Sequence, residues 1–553
     1  MRSLAGTINL SRSTHSSSIR GSSSLLLSLS LIVILLIDQA SSHLSLLSHH
    51  TSCRPIQKRQ LATGAGEGGA LTGPSSSPQS AGYSCDPSSC KLPNCQCAST
   101  SPPGGLNPKD VPQFIIFTAD DAVQSFTINA VNQFLSQRKN PNGCQPKMTY
   151  FVSLNYTNYS MVTDWYVAGN EIADHTMTHV GDAPVSEIDG NIIALNSLSG
   201  IPISAIQGFR APYLNYSINT MKHLKEAGFT YDSSTTSASP ANSSSTDAYW
   251  PYTLDNGFAN DCLSVPGLCQ GQVKLPGMWE IPMYGIFDER QSAGVHLMDP
   301  WLDDPNADKV LEWMKSTFLT HYNGNRQPFG LYTHPIHLAT GYPGVADPKA
   351  QIKMVNDFLD WAQQMQGVWI ISNAQLLSWT KNPVPLSNLN SVSALGCSVP
   401  SVSEKICNGM VPNQLGLLQN CPFTDFPFTT CYGCPATPPS PSNPLPTQAA
   451  PSGSGANKQL RHRLPANCST PFWDPIGNRC LCTSSSCQFQ DETRPIGPNG
   501  ANLTGGGVGG STSGNGNMYT PFKAAGSQLL ACSSTWKLVT LLSFVGSMML
   551  YQY

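Results

Sequence analysis

Two neighbouring carboxylates and two histidines are the residues of this chain best suited to chemistry. Asp120 and Asp121 follow an apolar run at 113–117, and His175 and His179 follow a shorter apolar segment at 171–173. One carboxylate and two imidazoles form a ligand set for a divalent cation with open positions, which leaves the second carboxylate free to act as a base. The pattern indicates metal-assisted hydrolysis. If residues 175–179 are helical, the two imidazoles share one face.

The elements that must position these residues lie between residues 111 and 383. Strands are predicted at 113–117, 148–153, 171–173, 207–210, 229–231, 279–283, 329–332 and 368–371, and helices at 128–137, 185–198, 218–227, 307–321 and 348–366. Gly200 is placed to end the second helix. Repeated strand–helix units predict an α/β fold, either a parallel barrel or a doubly wound sheet. Function then gathers at the carboxyl ends of the strands, where Asp120, His175, Arg210 and His334 fall.

Both ends of the chain carry targeting signals. Residues 1–42 have arginines, an apolar run and small residues in the order of a secretory signal peptide. Residues 43–59 end in Lys58-Arg59, which predicts a propeptide, with a solvated pair of charges as the alternative. The apolar end of 527–553 predicts a GPI signal that is removed on maturation, with lipid attached at Gly526; a tail-anchoring helix is the alternative. We expect the mature protein to be located at the outer face of the cell membrane and in the cell wall.

Composition agrees with secretion. The 18 cysteines, the 11 % of charged residues and the net charge of −3 suit an oxidising compartment and argue against nucleic-acid binding. Six sequons are candidate N-glycosylation sites, at Asn155, Asn158, Asn215, Asn242, Asn467 and Asn502.

The rest of the chain is divided into small cysteine-rich segments and linkers. Cysteine-rich segments are predicted at 85–110, 384–434 and 464–490, and disordered or stalk-like segments at 60–84, 435–463 and 491–526. The four cysteines at 85–97 form a disulfide-stapled segment or a metal knuckle, and secretion favours disulfides. We expect these segments to be spacers or structural caps in preference to carbohydrate-binding modules.

Five motifs in a fixed order resemble those of the polysaccharide deacetylases, the family-four carbohydrate esterases with a NodB homology domain. They are D-D at 120–121, H-x-x-x-H at 175–179, R-x-P-Y at 210–213, W-E at 279–280 and L-x-x-H at 331–334. Segments 90–97, 140–144, 155–160 and 210–214 resemble the chitin deacetylase branch of that family. The resemblance implies a distorted (β/α) barrel over residues 111–383.

The resemblance also implies roles around a metal. Asp121, His175 and His179 would bind one divalent ion, Zn²⁺ or alternatively Co²⁺. Asp120 would be the general base, and Arg210 would hold it ionised and oriented. The family usually has a large aromatic residue immediately before this base, where the present chain has alanine.

Further roles concern the substrate. The backbone N–H of Tyr213 would help bind the oxyanion, and Trp279, Tyr213 and Leu331 would contact the sugar. The implied activity is hydrolysis of N-acetyl groups from chitin or chito-oligosaccharides by a monomeric enzyme. Peptidoglycan or acetylated xylan is the alternative substrate, and a catalytically silent wall-binding protein is the alternative from another class.

The general acid is expected to be His334. The family places an acidic residue so as to charge this histidine, and the sequence offers Asp288 as the nearest candidate, with Glu280 as the second. His337 is a rival for the acid role on positional grounds.

Overall fold

The computed structural model describes residues 83–261, 265, 268, 273–344, 346–397, 418–453, 458–465 and 473–480. The predicted signal peptide, propeptide, stalk and GPI tail, with Gly526, Asn467 and Asn502, lie outside these residues. None of the helices in the described ranges combines the length and the apolar character needed to cross a membrane.

A curved sheet of nine strands forms the centre of the protein. Its strands are β1 (Gln113–Asp121), β2 (Thr149–Val152), β3 (Glu171–Asp174), β4 (Gly208–Phe209), β5 (Tyr231–Asp232), β7 (Tyr252–Thr253), β8 (Trp279–Glu280), β12 (Phe329–Thr333) and β13 (Val368–Ile371). Their order is β12-β1-β2-β3-β4-β5-β8-β7, and β13 pairs with β1. All of these pairs are parallel except β7 with β8.

Short strand pairs lie outside this sheet. They comprise β6 (Thr236–Ser237) with β9 (Met283–Tyr284), β10 (Ile286–Phe287) with β11 (Val295–His296), β14 (Gln419–Cys421) with β15 (Phe428–Thr430), and β16 (Trp473–Asp474) with β17 (Arg479–Cys480).

Helices follow the strands of the main sheet. They are α1 (Ser125–Leu135), α2 (Tyr159–Val167), α3 (Val185–Ser199), α4 (Ile218–Ala227), α5 (Ala307–Asn323), α6 (Lys349–Gln363) and α7 (Asn373–Lys381). The sheet is apolar on both faces, as a covered parallel sheet requires. In β1, Ile115 and Phe117 join one apolar cluster, whereas Phe114 and Ile116 join a second cluster on the opposite face, and both clusters include helix residues.

The predicted α/β fold is confirmed, and the curved parallel sheet with surrounding helices agrees with a distorted barrel. The helix predicted at 185–198 ends at Gly200, which has a left-handed φ of 62°. Helices α2 and α7 were not predicted. Strand β1 extends four residues beyond its predicted end and thereby includes both aspartates.

Most of the described disulfides close the small cysteine-rich segments on themselves, and one, Cys144–Cys397, joins such a segment to the sheet domain. The four-cysteine segment contains two disulfides, which confirms the preference for disulfides over a metal knuckle. The described pairs are Cys85–Cys97, Cys90–Cys95, Cys144–Cys397 and Cys421–Cys434. The third of these closes a loop with a sequence separation of 253 residues, and in the chain-entropy account a loop of this size stabilises a fold by about 5 kcal/mol.

Candidate active site

The two aspartates at the end of β1 reach the same site because the strand is distorted there. Neighbouring residues of a regular strand point to opposite faces. Asp121 instead has a φ of 85°, which is uncommon for a residue other than glycine. Asp120 Oδ2 and Asp121 Oδ1 consequently lie 4.0 Å and 3.8 Å from Nε2 of His175.

The two histidines follow β3 in an irregular loop and not in a helix, so the helical interpretation of their spacing is wrong. The loop reverses at Thr176 and His179, each with a φ of 60°. The reversal still brings the imidazole rings together, with centroids 5.0 Å apart. His179 Nε2 lies 3.0 Å from Asp121 Oδ1.

Backbone and side-chain contacts fix the orientation of both imidazoles. His175 Nδ1 lies 2.7 Å from the carbonyl oxygen of Arg210. Because a carbonyl can only accept, Nδ1 carries the proton and the lone pair of Nε2 faces the carboxylates. His179 Nδ1 lies 3.2 Å from the hydroxyl of Tyr213.

The cluster Asp121, His175 and His179 fits a divalent metal ion. Its ligand atoms all lie within 4.8 Å of one another. The buried Asp121 Oδ1 faces Nε2 of His179 at 3.0 Å and Nε2 of His175 at 3.8 Å, and a buried carboxylate oxygen between two ring nitrogens is costly unless a proton or a cation satisfies it. Two imidazoles and one carboxylate are the donor set of catalytic zinc sites.

The protonation states in this cluster favour a ligand role. Burial, and after it the neighbouring His179, holds the pKa of His175 well below its usual value. Burial raises the pKa of Asp121, but the nearby imidazole of His179 outweighs that effect and holds the pKa well below the ordinary range. A neutral imidazole and an ionised carboxylate both present lone pairs to a cation.

Asp120 is held by Arg210 and not by the histidine cluster. Arg210 is fully buried, and its Nη1 donates to Asp120 Oδ1 and to Thr118 Oγ1, both at 2.8 Å. Its Nε donates to the carbonyl oxygen of Ser233 at 3.0 Å, and its guanidinium lies 4.1 Å from the centre of the Phe151 ring. These contacts leave Oδ2 of Asp120 as the oxygen nearest to the ligand cluster.

Burial raises the pKa of Asp120 to about 6, against the opposing effects of Arg210 and His334. A carboxylate with such a pKa is a stronger base than an ordinary aspartate and is still largely ionised at neutral pH. The arrangement matches the requirements of a general base.

The R-x-P-Y motif forms a short turn directly after β4. Tyr213 lies in this turn with a φ of 59°, a strained conformation for a bulky residue. Its ring packs edge-on against His179 with centroids 4.7 Å apart. Asp121, His179 and Tyr213 thus all have left-handed backbones, and such strain is concentrated at functional sites.

His334 has a buried carboxylate partner, but that partner is Asp299. Nδ1 of His334 donates to Asp299 Oδ2 at 2.6 Å, and its backbone N–H donates to Asp299 Oδ1 at 3.0 Å. The two sequence candidates are wrong. Asp288 instead binds Arg290 and His296, and Glu280 accepts a hydrogen bond from Thr235.

Position in the sheet explains why Asp299 reaches His334. Met298 forms a parallel bridge with Tyr332, which places Asp299 beside Thr333. The carboxylate of Asp299 therefore accepts from Thr333 Oγ1 and from the backbone N–H of the following residue, His334. The only sequence signal for this role is the Asp299-Pro300 pair that follows the apolar residues 295–298. That segment was not among the predicted strands.

His334 and His337 lie close together at the end of β12. His334 acts electrostatically on both Asp120 and Asp121. His337 lies one helical turn further along and is half-buried, with its ring centre 6.0 Å from that of His334. The buried Asp299 contact therefore favours His334 as the acid.

Two residues expected at the sugar site lie elsewhere. Trp279 is only 2 % exposed and belongs to the interior apolar cluster, with the amine of Lys381 at 5.8 Å from its ring centre. Leu331 is fully buried in the other cluster, which includes helix residues. Neither side chain can touch a polymer from outside, because β8 and β12 direct both into packed layers.

The described sequons differ in their exposure. Asn215 and Asn242 are exposed, as a glycosylated loop requires. Asn155 and Asn158 are half-buried, and Asn158 caps α2 through a hydrogen bond from the N–H of Ser160.

Comparison with known proteins gives clear relatives. The chain is 31% identical to chitin deacetylase 8 of Bombyx mori over 375 residues, which cover 65% of this chain and 93% of that protein. It is 30% identical to chitin deacetylase 1 of Bombyx mori over 377 residues, or 61% of this chain and 66% of that one.

Solved structures are more distant. The chitin deacetylase of the fungal pathogen Colletotrichum lindemuthianum is 11% identical, covers 48% of this chain and 88% of its own, and has a TM-score of 0.27. No protein-family model matches the chain. The fold described above therefore rests on the sheet order and the helices themselves.

Proposed function

Because the chain belongs to the chitin deacetylase branch of the polysaccharide deacetylase family, we propose that it hydrolyses the N-acetyl groups of chitin with a divalent metal ion. It is a hydrolase that acts on linear amide C–N bonds. The products would be acetate and a polymer with free amines. The observation that carries the proposal is a buried carboxylate, Asp120, whose Oδ2 lies 4.0 Å from Nε2 of His175 in the Asp121–His175–His179 cluster.

The proposed metal ligands are Asp121, His175 and His179. The ion is Zn²⁺, or Co²⁺ as the alternative. When bound, it would polarise the acetyl carbonyl and lower the pKa of a coordinated water towards neutrality.

Asp120 is the proposed general base. It would take a proton from the attacking water through Oδ2, because Oδ1 is engaged by Arg210 at 2.8 Å. The guanidinium has two functions here: it favours the ionised carboxylate and it prevents the side chain from rotating. Such base assistance typically contributes about 10²- to 10⁴-fold to the rate.

The backbone N–H of Tyr213 is the proposed donor to the carbonyl oxygen as that oxygen gains negative charge. A preorganised donor stabilises the transition state without reorganisation. The left-handed turn at Tyr213 and the contact of its ring with His179 hold this N–H in place beside the ligand cluster.

His334 is the proposed general acid. An amine leaves poorly as an anion, so the nitrogen must gain a proton as the C–N bond breaks. His334 would supply that proton while Asp299 stabilises the charged imidazole from its other nitrogen, Nδ1. The negative charge of Asp120, nearby, also favours the protonated form of His334.

The polymer and its location complete the proposal. Chitin is favoured over peptidoglycan and xylan because both curated relatives carry the name chitin deacetylase. The presence of Asp120 together with the three ligands supports an active enzyme over a silent wall-binding protein. We also propose that the enzyme lies at the cell surface, held to the outer face of the membrane, and the support for this is the predicted secretory signal and the predicted GPI signal in the sequence.

The test is acetate release from chitin oligomers by the purified protein, with and without a chelator. We expect release that stops with the chelator and returns with Zn²⁺. Acetylated xylan and peptidoglycan should give much lower rates. Zinc-loaded protein that releases no acetate from any of these polymers would refute the enzymatic proposal, and faster release from xylan or peptidoglycan would replace chitin as the substrate.

A further inference from the structure

The hairpin formed by β14 and β15 is fixed to the sheet domain beside the active site. The disulfide Cys421–Cys434 closes it. Phe428 packs edge-on against Tyr159 of α2, with ring centres 4.1 Å apart. Thr429 Oγ1 donates to the side-chain oxygen of Asn158 at 2.9 Å. These contacts fix the strand β15 side of the hairpin, and its tip comprises residues 422–427.

The tip of the hairpin meets the loop after β2. Phe426 lies against Tyr156 in an edge-on contact with ring centres 4.0 Å apart. Tyr156 has a φ of 68°, which a bulky side chain adopts only where its surroundings hold it. The preceding residue, Asn155, donates to the carbonyl oxygen of Thr178 at 3.4 Å. Since Thr178 immediately precedes the proposed ligand His179, the Phe426–Tyr156 pair lies next to the metal cluster.

Further aromatic side chains continue from Tyr156 along the same edge of the sheet. Tyr156 packs in one apolar cluster with Phe126, Ile336 and Tyr342. Phe126 contacts Tyr342 edge-on at 5.3 Å. Phe126 follows β1 and Ile336 follows β12, the two strands that also carry Asp120 and His334. We call the half-buried Phe126, Tyr156 and Phe426 the aromatic rim; Tyr342, which packs against Phe126, is only 7 % exposed.

We propose that the hairpin is a wall of the substrate cleft and that the aromatic rim binds the sugar units flanking the N-acetylglucosamine being hydrolysed. This inference rests on the proposed function. Chitin carries no charge, and the C–H faces of its pyranose rings are apolar, so half-buried rings are suitable partners for it. Phe126, Tyr156 and Phe426 are all half-buried. The loops that follow β1, β2 and β12 also connect the aromatic rim with the active site.

This role differs from the expectation that the cysteine-rich segment 384–434 is a spacer or a cap. A cap would need only Phe428 and Thr429, which anchor the hairpin to α2. A binding wall would also need an aromatic ring at the tip, and Phe426 supplies one against Tyr156 at the edge of the active site.

The test compares two substrates in the full-length protein. One is the pentamer of N-acetylglucosamine, which is long enough to reach the rim, and the other is 4-nitrophenyl acetate, which is not. In Phe426→Ala, the ratio of kcat/KM for the pentamer to that for the ester should fall about 3- to 10-fold, the value of one aromatic contact. The change should come from a higher KM for the pentamer, and Phe426→Trp should restore it.

The matched control is Phe423→Ala. Phe423 lies in the same tip and, like Phe426, packs against the main apolar cluster, but the described ring contact with Tyr156 is made by Phe426. Its substitution should leave the pentamer-to-ester ratio within about twofold of the wild-type value, whatever it does to thermal stability.

Three results would overturn the inference. The first is an unchanged pentamer KM in folded Phe426→Ala. The second is an equal change in the Phe423→Ala control. The third is self-association of the wild-type chain in sedimentation that Phe426→Ala abolishes, because the rim would then be a contact between copies. Failure of the proposed function itself would look different, since the wild-type protein would release no acetate from the pentamer.

Discussion

Replacing Asp299 by asparagine tests the acid half of the mechanism. Asp299 is 3 % exposed. Its oxygens accept hydrogen bonds from Nδ1 of His334 at 2.6 Å, from the backbone N–H of the same residue at 3.0 Å, and from Thr333 Oγ1 at 2.8 Å. Asparagine keeps the size of the side chain and removes its charge, so the local packing should survive.

The expected loss follows from the interaction removed. A hydrogen bond to a charged group contributes about 1.5–3 kcal/mol. His334 would be positively charged until it donates its proton. Asp299 would stabilise this protonated form, which is the form that donates to the leaving nitrogen. At about 1.4 kcal/mol for each factor of ten, kcat on the amide should fall about 10- to 150-fold. KM should change little, because Asp299 is buried behind His334.

The assay separates the role in acid catalysis from general damage. Acetate release from chitin oligomers requires protonation of the leaving amine, whereas 4-nitrophenolate leaves from 4-nitrophenyl acetate without a proton. Asp299→Asn should therefore lose much more activity on the oligomer than on the ester. Asp288→Asn is the matched control, since Asp288 is equally buried and contacts a different histidine, His296. The control should retain most of its activity on both substrates.

Equal losses on the amide and the ester would refute the reasoning, because Asp299 would then support the whole site and not proton delivery to the leaving group. An Asp299→Asn enzyme with a normal rate on the oligomer would refute it as well and would return His337 to consideration as the acid.

Four further outcomes are expected. Asp120→Asn should keep one metal ion per chain by elemental analysis but lower kcat about 10²- to 10⁴-fold, and a variant close to the wild-type rate would move the base role elsewhere. His179→Ala should lose the ion in equilibrium dialysis while circular dichroism stays native; full retention of the metal would contradict the ligand assignment. Arg210→Met should lower the free energy of unfolding by about 3–5 kcal/mol because a buried carboxylate loses its partner. Adding Asp120→Asn should recover part of that loss. Equal denaturation midpoints for the wild type and Arg210→Met would disprove the coupling between Arg210 and Asp120. Phosphatidylinositol-specific phospholipase C should release the mature protein from membranes, and mass spectrometry that detects Tyr553 in it would exclude a GPI anchor.

The sequence alone determined the class of fold and the composition of the ligand cluster. Strand and helix periods are local, and they predicted the helix at 218–227 and the strand at 368–371 with the bounds that the structure has. The end of α3 at Gly200 could be predicted, because the residue that ends a helix often has a left-handed backbone conformation and glycine adopts it most easily. Asp120, Asp121 and the two histidines were identified by type and spacing, since parallel strands deliver their carboxyl-terminal residues to one edge.

Only the tertiary structure decided the backbone conformation of the active-site loop. The spacing of His175 and His179 suits a helix, but the loop after β3 turns at His179 through a left-handed residue. Nothing local in the sequence favours that conformation. Contacts with Asp121 and Tyr213, residues from other strands, hold the loop in place.

Long-range pairing decided the remaining features. Asp299 became the partner of His334 because Met298 pairs with Tyr332, a pairing of distant segments of which the first was not among the predicted strands. Trp279 belongs to a motif that was expected to contact the sugar, but in β8 its side chain is buried in an interior apolar cluster. Phe426 reached the active-site edge through a disulfide-closed hairpin that packs on α2. Periodicity and motif spacing describe neighbours along the chain, whereas these contacts depend on which distant segments lie side by side after folding.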